Sequence, residues 1–154
     1  MHTRNLINEF LSIKRFAMIG VSRTKEDFSR KLFDEFVHRD YDVVPVNPNA
    51  TAMDGYHSFS KVQDITPPVT SALLMVPPHR MEHILRDCAD AGVTVAWIYG
   101  ISGSKHIPSG ALHICEQYGM KIITGYCPFM FLPSTAFFHR FHGTILKLTG
   151  KYPK

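Results

Sequence analysis

The sequence predicts an α/β fold: a doubly wound parallel sheet of five strands, Rossmann-like, with helices on both faces. Three observations predict it. Short apolar runs alternate with amphipathic stretches of helical spacing along the chain. The first run, at residues 16–19, passes at once into Gly20-Val21-Ser22 and then into a helical stripe. Strand and helix alternate at short intervals, which makes the sheet parallel with helices on both faces.

Taken in order, residues 3–14 carry Leu6, Ile7, Phe10 and Leu11 at helical spacing, a leading helix that packs on the sheet. Phe16-Ala17-Met18-Ile19 reads as a buried strand. Gly20 permits a sharp turn and leaves room beside the backbone for a ligand. Thr24-Lys25-Glu26-Asp27 has capping-box spacing, so a helix is expected from near Lys25, with Phe28, Leu32, Phe33, Phe36 and Val37 as its apolar stripe. Residues 41–46 form the second strand, closed by Asn47-Pro48-Asn49. Residues 50–68 are rich in turn formers, with a turn at Asp54-Gly55 and one helical turn over 58–62. Residues 71–76 are the third strand. Pro77-Pro78 ends it and opens a helix lined by Met81, Ile84, Leu85, Cys88 and Ala91 and stopped by Gly92. The fourth strand is 93–99, followed by a loop at 100–104, a helix over 107–118, Gly119, and a fifth strand at 120–124. Gly125-Tyr126-Cys127-Pro128 is a turn, and Phe137, Phe138, Phe141, Ile145 and Leu148 mark a closing amphipathic helix. No repeat or linker interrupts the pattern, so 1–154 is one domain, with 125–154 an aromatic extension of it.

The 154 residues suffice for one sizeable core. A formal net charge of +4 mildly favours anionic ligands and is too small to argue nucleic acid. No apolar run is long enough to span a bilayer, and Met1-His2-Thr3-Arg4-Asn5 does not open a signal peptide. Three separated cysteines form no CxxC pair and no disulfide framework. A reduced, cytoplasmic setting is the expectation.

In a doubly wound sheet the ligand crevice lies at the carboxyl ends of the strands, where strand order reverses. The loops at 20–24, 47–49, 76–78 and 99–104 should converge there. A helix start facing the first turn favours a phosphate. A nicotinamide dinucleotide fits poorly. Ser22 and Lys25 stand where the second and third fingerprint glycines belong, and no acid ends the second strand. A Walker A loop is absent.

Gly20-Val21-Ser22, Val46-Asn47-Pro48, Val76-Pro77-Pro78 and Ala91-Gly92-Val93 before a tryptophan-bearing strand together resemble the small CoA-binding-domain proteins. These are stand-alone relatives of the CoA-binding domain of the succinyl-CoA synthetase alpha subunit. The resemblance spans residues 16–124 and implies binding of coenzyme A or an acyl-CoA through its nucleotide half. It places the Gly20-Val21-Ser22 backbone and the Ser22 hydroxyl on the phosphates, with Ser29 facing the same site. It puts Asn47 and Pro48 beside adenine and ribose, Val76, Pro77 and Pro78 along the adenosine, and Tyr99 and Gly100 at the pantetheine arm. From the residues alone, Arg23, Lys25 and Arg30 are available to neutralise phosphate charge. The resemblance implies recognition without ligase chemistry.

Two alternatives stand beside that reading. One is a small NAD(P)-linked or CoA-thioester enzyme using Cys127 or a histidine. The other is a redox or metabolite sensor acting through the C-terminal segment. Cys88 and Cys115 sit at apolar helix positions and read as core. His139 and His142 share a helix face, but two ligands do not make a metal site. Tyr126, Phe129, Phe131, Phe137, Phe138 and Phe141 read as core, part of which is available for a homo-oligomer contact.

Overall fold

A computed structural model describes residues 2–99 and 107–133. In chain order it contains α1 (Thr3–Ser12), β1 (Arg15–Ile19), α2 (Phe28–His38), β2 (Asp42–Val46), β3 (Ala52–Met53), β4 (Tyr56–His57), β5 (Ser71–Leu74), α3 (Pro78–Asp90), β6 (Val95–Ile98), α4 (Ser109–Gln117) and β7 (Lys121–Thr124). Five strands form one sheet in the order β2-β1-β5-β6-β7, every neighbour parallel. The expected α/β, doubly wound, Rossmann-like architecture is the observed one.

Side-chain alternation builds the two faces. Along β1, Phe16 and Met18 point to one side and Ala17 and Ile19 to the other. The first side packs against Leu6, Ile7 and Phe10 of α1 and Leu32, Phe33 and Phe36 of α2. Trp97 lies there too, fully buried, with Phe10 edge-on at 5.4 Å. The second side packs against Met81, Leu85 and Cys88 of α3 and Ala111, Ile114 and Cys115 of α4. Because both faces are covered, the central strands run apolar beyond their first residues, Arg15 in β1 and Ser71 in β5, rather than alternating.

The chain leaves β1 toward β2 on one side and returns to β5 on the other. Strand order therefore reverses between β1 and β5, and α2 and α3 leave on opposite faces. This opens a crevice at the carboxyl ends of those two strands.

Three details differ from the sequence expectation. The helix expected from Lys25 starts at Phe28. The capping box does not form, because Asp27 turns its carboxylate back to accept the Ser22 hydroxyl at 2.5 Å. Second, Asp54-Gly55 is not an isolated turn but the tip of a hairpin pairing Ala52 with His57 and Met53 with Tyr56. Both tip residues have positive φ, 47° and 87°, as a type I′ turn requires. Strands of two residues are too short to leave a periodic signal. Third, there is no helical turn over 58–62. Phe59 bridges Val46 in parallel, and a single 3-10 turn follows at Val62–Asp64. The closing helix expected around residues 137–148 lies outside the described residues, as do Gly100, His139 and His142. Among the described residues, no helix is long and apolar enough to cross a membrane.

Candidate functional site

Gly20 is the pivot of the crevice. Its φ is +95°, and a Cβ there would lie 2.2 Å from the Met75 carbonyl oxygen. Its N–H donates to Val46 O at 3.2 Å, and beside it Met75 N–H donates to Ile19 O at 2.8 Å. The residue after β1 is thus laced to both neighbouring strands. The backbone of Met75 by itself demands glycine, independently of any ligand.

The loops over the crevice are fixed by short polar side chains. Ser22 N–H donates to Ser29 Oγ at 2.9 Å, and Thr24 N–H donates to Ser22 Oγ at 3.0 Å. Asn47 ties the first loop to the second: its Nδ2 donates to Val21 O at 2.9 Å, while Oδ1 accepts Asn49 N–H at 2.8 Å. Its own N–H donates to Phe59 O at 2.9 Å. Ser22, Ser29 and Asn47 therefore hold the shape of the loops. Pro77 ends the third loop in an extended conformation, and Pro78 begins α3.

These loops enclose a hollow of about 240 Å³. Gly20, Val21, Ser22, Asn47, Pro48, Val76 and Pro77 line it together, bringing seven of the sequence-predicted positions to one place. Among the described residues, the hollow is lined by no histidine, cysteine or carboxylate, and its one charged side chain is Arg80. Arg80 was not anticipated. It sits in the first turn of α3, one helical turn before Ile84, which lines the same hollow. It is exposed, and its side chain has no hydrogen-bond or ion-pair partner among the described residues. An exposed arginine on a helix carries no sequence signal of its own. Only the Pro77-Pro78 stop fixes where its turn begins.

None of the three cations expected at the phosphates lines this hollow. Arg30 is 2% exposed and its guanidinium pairs with Asp54 and, at 3.3 Å, with Asp34. Lys25 lies 3.6 Å from the same Asp54. Arg23 is exposed and does not line the hollow. The Arg30 hydrogen bond, reinforced by Lys25, holds the Asp54 carboxyl below the usual carboxylate range. Pro78 also faces away, onto a surface groove with His79, Glu82, His83, Arg86 and Pro108.

A second hollow, also about 240 Å³, shares Gly20, Ser22 and Met75 and is completed by Asp27, Phe28 and Ser29. Ser29 lines this second hollow and not the first. The Phe28 ring packs on Tyr99 at 5.8 Å and on Phe129 at 5.5 Å. Tyr99 is half-buried, with its hydroxyl beside the Cys127 thiol. Burial, followed by the Cys127 neighbour, pushes Tyr99 up to about 12. Burial also raises the Cys127 thiol, despite hydrogen bonds that favour its thiolate. Cys88 is pushed up to about 12 by burial, and Cys115 is raised for the same reason. These are the surroundings of inert thiols. Among the described residues, no three His, Cys, Asp or Glu gather to hold a metal ion.

Fold and crevice together define a doubly wound domain with its loops converged at the switch point, the class that takes nucleotide-like ligands. The model of the CoA binding domain family matches residues 14–133, and the chain belongs to that family. An ADP-forming acetate–CoA ligase of Methanocaldococcus jannaschii is 25% identical over 118 residues. That alignment covers 74% of this chain and 17% of the ligase, so the chain spans under a fifth of that relative's length. Among solved structures, a hypothetical protein from Pyrococcus horikoshii OT3 superposes with a TM-score of 0.70 at 20% identity, covering 83% of this chain and 87% of that one. A dinucleotide-forming acetyl-coenzyme A synthetase 1 of Candidatus Korarchaeum cryptofilum, in complex with phosphate and ADP, superposes at 0.63 with 23% identity. It covers 71% of this chain and 25% of that one.

Proposed function

We propose that this protein binds coenzyme A or an acyl-CoA at the carboxyl edge of its sheet, without ligase chemistry of its own, in the cytoplasm. One observation carries the reading. The loops that bear the family resemblance, 20–22, 47–48 and 76–77, line a single hollow at the switch point between β1 and β5. Each hollow is smaller than the roughly 300–1,000 Å³ usual for a small-molecule site. A ligand as long as CoA uses both, crossing at Gly20 and Ser22, which they share. The nucleotide end sits between the Asn47 and Pro77 loops. The neutral arm runs past Phe28 toward Tyr99. The ligase clause of the proposal is supported by the lining of the first hollow, where the nucleotide end sits: among the described residues it offers no histidine, cysteine or carboxylate to carry acyl or phosphoryl transfer.

Thermal-shift titration of the nucleotide-free chain tests this. CoA at a hundred times its dissociation constant should add about 2.7 kcal/mol of stability, a rise of roughly 5–10 °C for this chain length. NAD and NADP should give no comparable rise. No response to millimolar CoA, or a response only to NAD(P), overturns the reading. Formation of acetyl-CoA from acetate, ATP and CoA overturns the ligase clause alone.

A sensor role is favoured by one contact. Phe28 lines the second hollow and packs on Phe129 of the C-terminal segment, so occupancy there bears on that segment. Oligomeric state measured with and without CoA separates a sensor from a passive binder.

A further inference from the structure

We infer that Arg80 determines specificity by reading a phosphate monoester on the nucleotide end of the ligand, the 3′-phosphate in the case of CoA. The inference rests on the CoA reading above and fixes the direction in which the ligand lies. The cations that sequence alone offered are already engaged or absent from the crevice. Arg30 is held by Asp34 and Asp54, Lys25 lies against Asp54, and Arg23 does not line the hollow. Arg80 lines it with no partner among the described residues, together with Asn49 and Ser60, two exposed polar positions on the same hollow. A guanidinium can present two parallel N–H groups to phosphate oxygens, and that geometry suits a dianionic terminal phosphate better than an already esterified one.

The charge on the other side of Gly20 agrees. The second hollow carries the Asp27 carboxylate at the start of α2, where it accepts the Ser22 hydroxyl. An acid there repels a phosphate and tolerates a neutral arm. The crevice is therefore polar in the electrostatic sense: cationic at Arg80, anionic at Asp27, with the Gly20-Val21-Ser22 turn between them. A ligand with its phosphates at one end and a neutral chain at the other has one favourable orientation.

The test is calorimetric titration of the full chain with CoA and with 3′-dephospho-CoA, for the wild type, Arg80→Ala and Arg80→Lys. Arg80 is exposed, and matched thermal melts of the free proteins confirm that the variants fold. The wild type should prefer CoA over dephospho-CoA by about tenfold or more, the scale of one charge-assisted pair. Arg80→Ala should lose that preference by weakening CoA while leaving dephospho-CoA unchanged, and Arg80→Lys should keep part of it. Equal preference in wild type and Arg80→Ala overturns the inference while leaving CoA binding intact. Equal weakening of both ligands also overturns it, since Arg80 would then serve the site in general. A wild type that ignores both ligands overturns the CoA reading itself, and this inference with it.

Discussion

Gly20 shows how a residue at a ligand crevice can be required by the fold before any ligand arrives. Two costs meet at it: a φ of +95° and the Met75 carbonyl 2.2 Å from where a Cβ would lie. At Gly55, φ is +87° but nothing stands within 4 Å of the added carbon. The pair separates conformational strain from steric exclusion. Gly55→Ala should cost about 1 kcal/mol, the strain alone. Gly20→Ala should cost about 3 kcal/mol or more, since the end of β5 must move. Urea unfolding monitored at Trp97 measures both, and equal losses would show that the approach to Met75 is not what constrains position 20. Sequence marked Gly20, Asn47 and Pro77 because their residue types do something to the backbone. It missed Arg80, whose role depends only on which way a helix faces. It also sent Arg30 to the phosphates, because its partner Asp54 lies 24 residues away across a hairpin that no periodicity announces.

At the scale of elements, the Arg30–Asp54 pair joins α2 to the β3–β4 hairpin, and Phe33 packs edge-on against Tyr56 at 5.7 Å beside it. Arg30 is buried, so removing its partner leaves a guanidinium short of compensation. Asp54 is held below its ordinary pKa, first by the Arg30 hydrogen bond. A carboxyl lowered in this way stabilises the folded state above its unfolded pKa, near 4. That contribution is lost as pH falls through the lower folded value. Asp54→Asn should therefore lower the urea midpoint at pH 7, and the gap from wild type should close as the pH is taken toward 3. A gap that persists unchanged in acid would assign the effect to hairpin geometry rather than to charge. The long elements, α2 and α3 with their apolar stripes, were legible within a few residues. The start of α2 was not, because Thr24 matched a capping box whose acid, Asp27, was drawn off by Ser22.

For the whole molecule, the doubly wound sheet was readable because alternation of strand and helix leaves few other topologies. The crevice followed from it, since the switch point is a property of strand order rather than of any one residue. What sequence left open is whether the two cores act as one unit. Cys88 and Cys115 lie in the core under α3 and α4, while Cys127 lies across the sheet, beside Tyr99, which packs on the core of Trp97. Trp97 Nε1 donates to Tyr126 O at 2.9 Å, and Arg39 reaches Pro133 O, so the segment carrying Cys127 is fastened to the sheet and to the end of α2. All three thiols are buried and raised in pKa, which makes them slow to alkylate in the native state at pH 7. If the sheet couples the cores, the three should become reactive at one denaturant midpoint, coincident with the loss of Trp97 fluorescence structure. Pulse alkylation with site-by-site mass mapping reads each thiol separately. Labelling of Cys127 at clearly lower denaturant than Cys88 and Cys115 would show that the segment opens as its own unit. In that event the Phe28–Phe129 contact is a hinge between the ligand crevice and a detachable element. A single midpoint makes the same contact part of one cooperative core, whose stability CoA should raise at all three cysteines together.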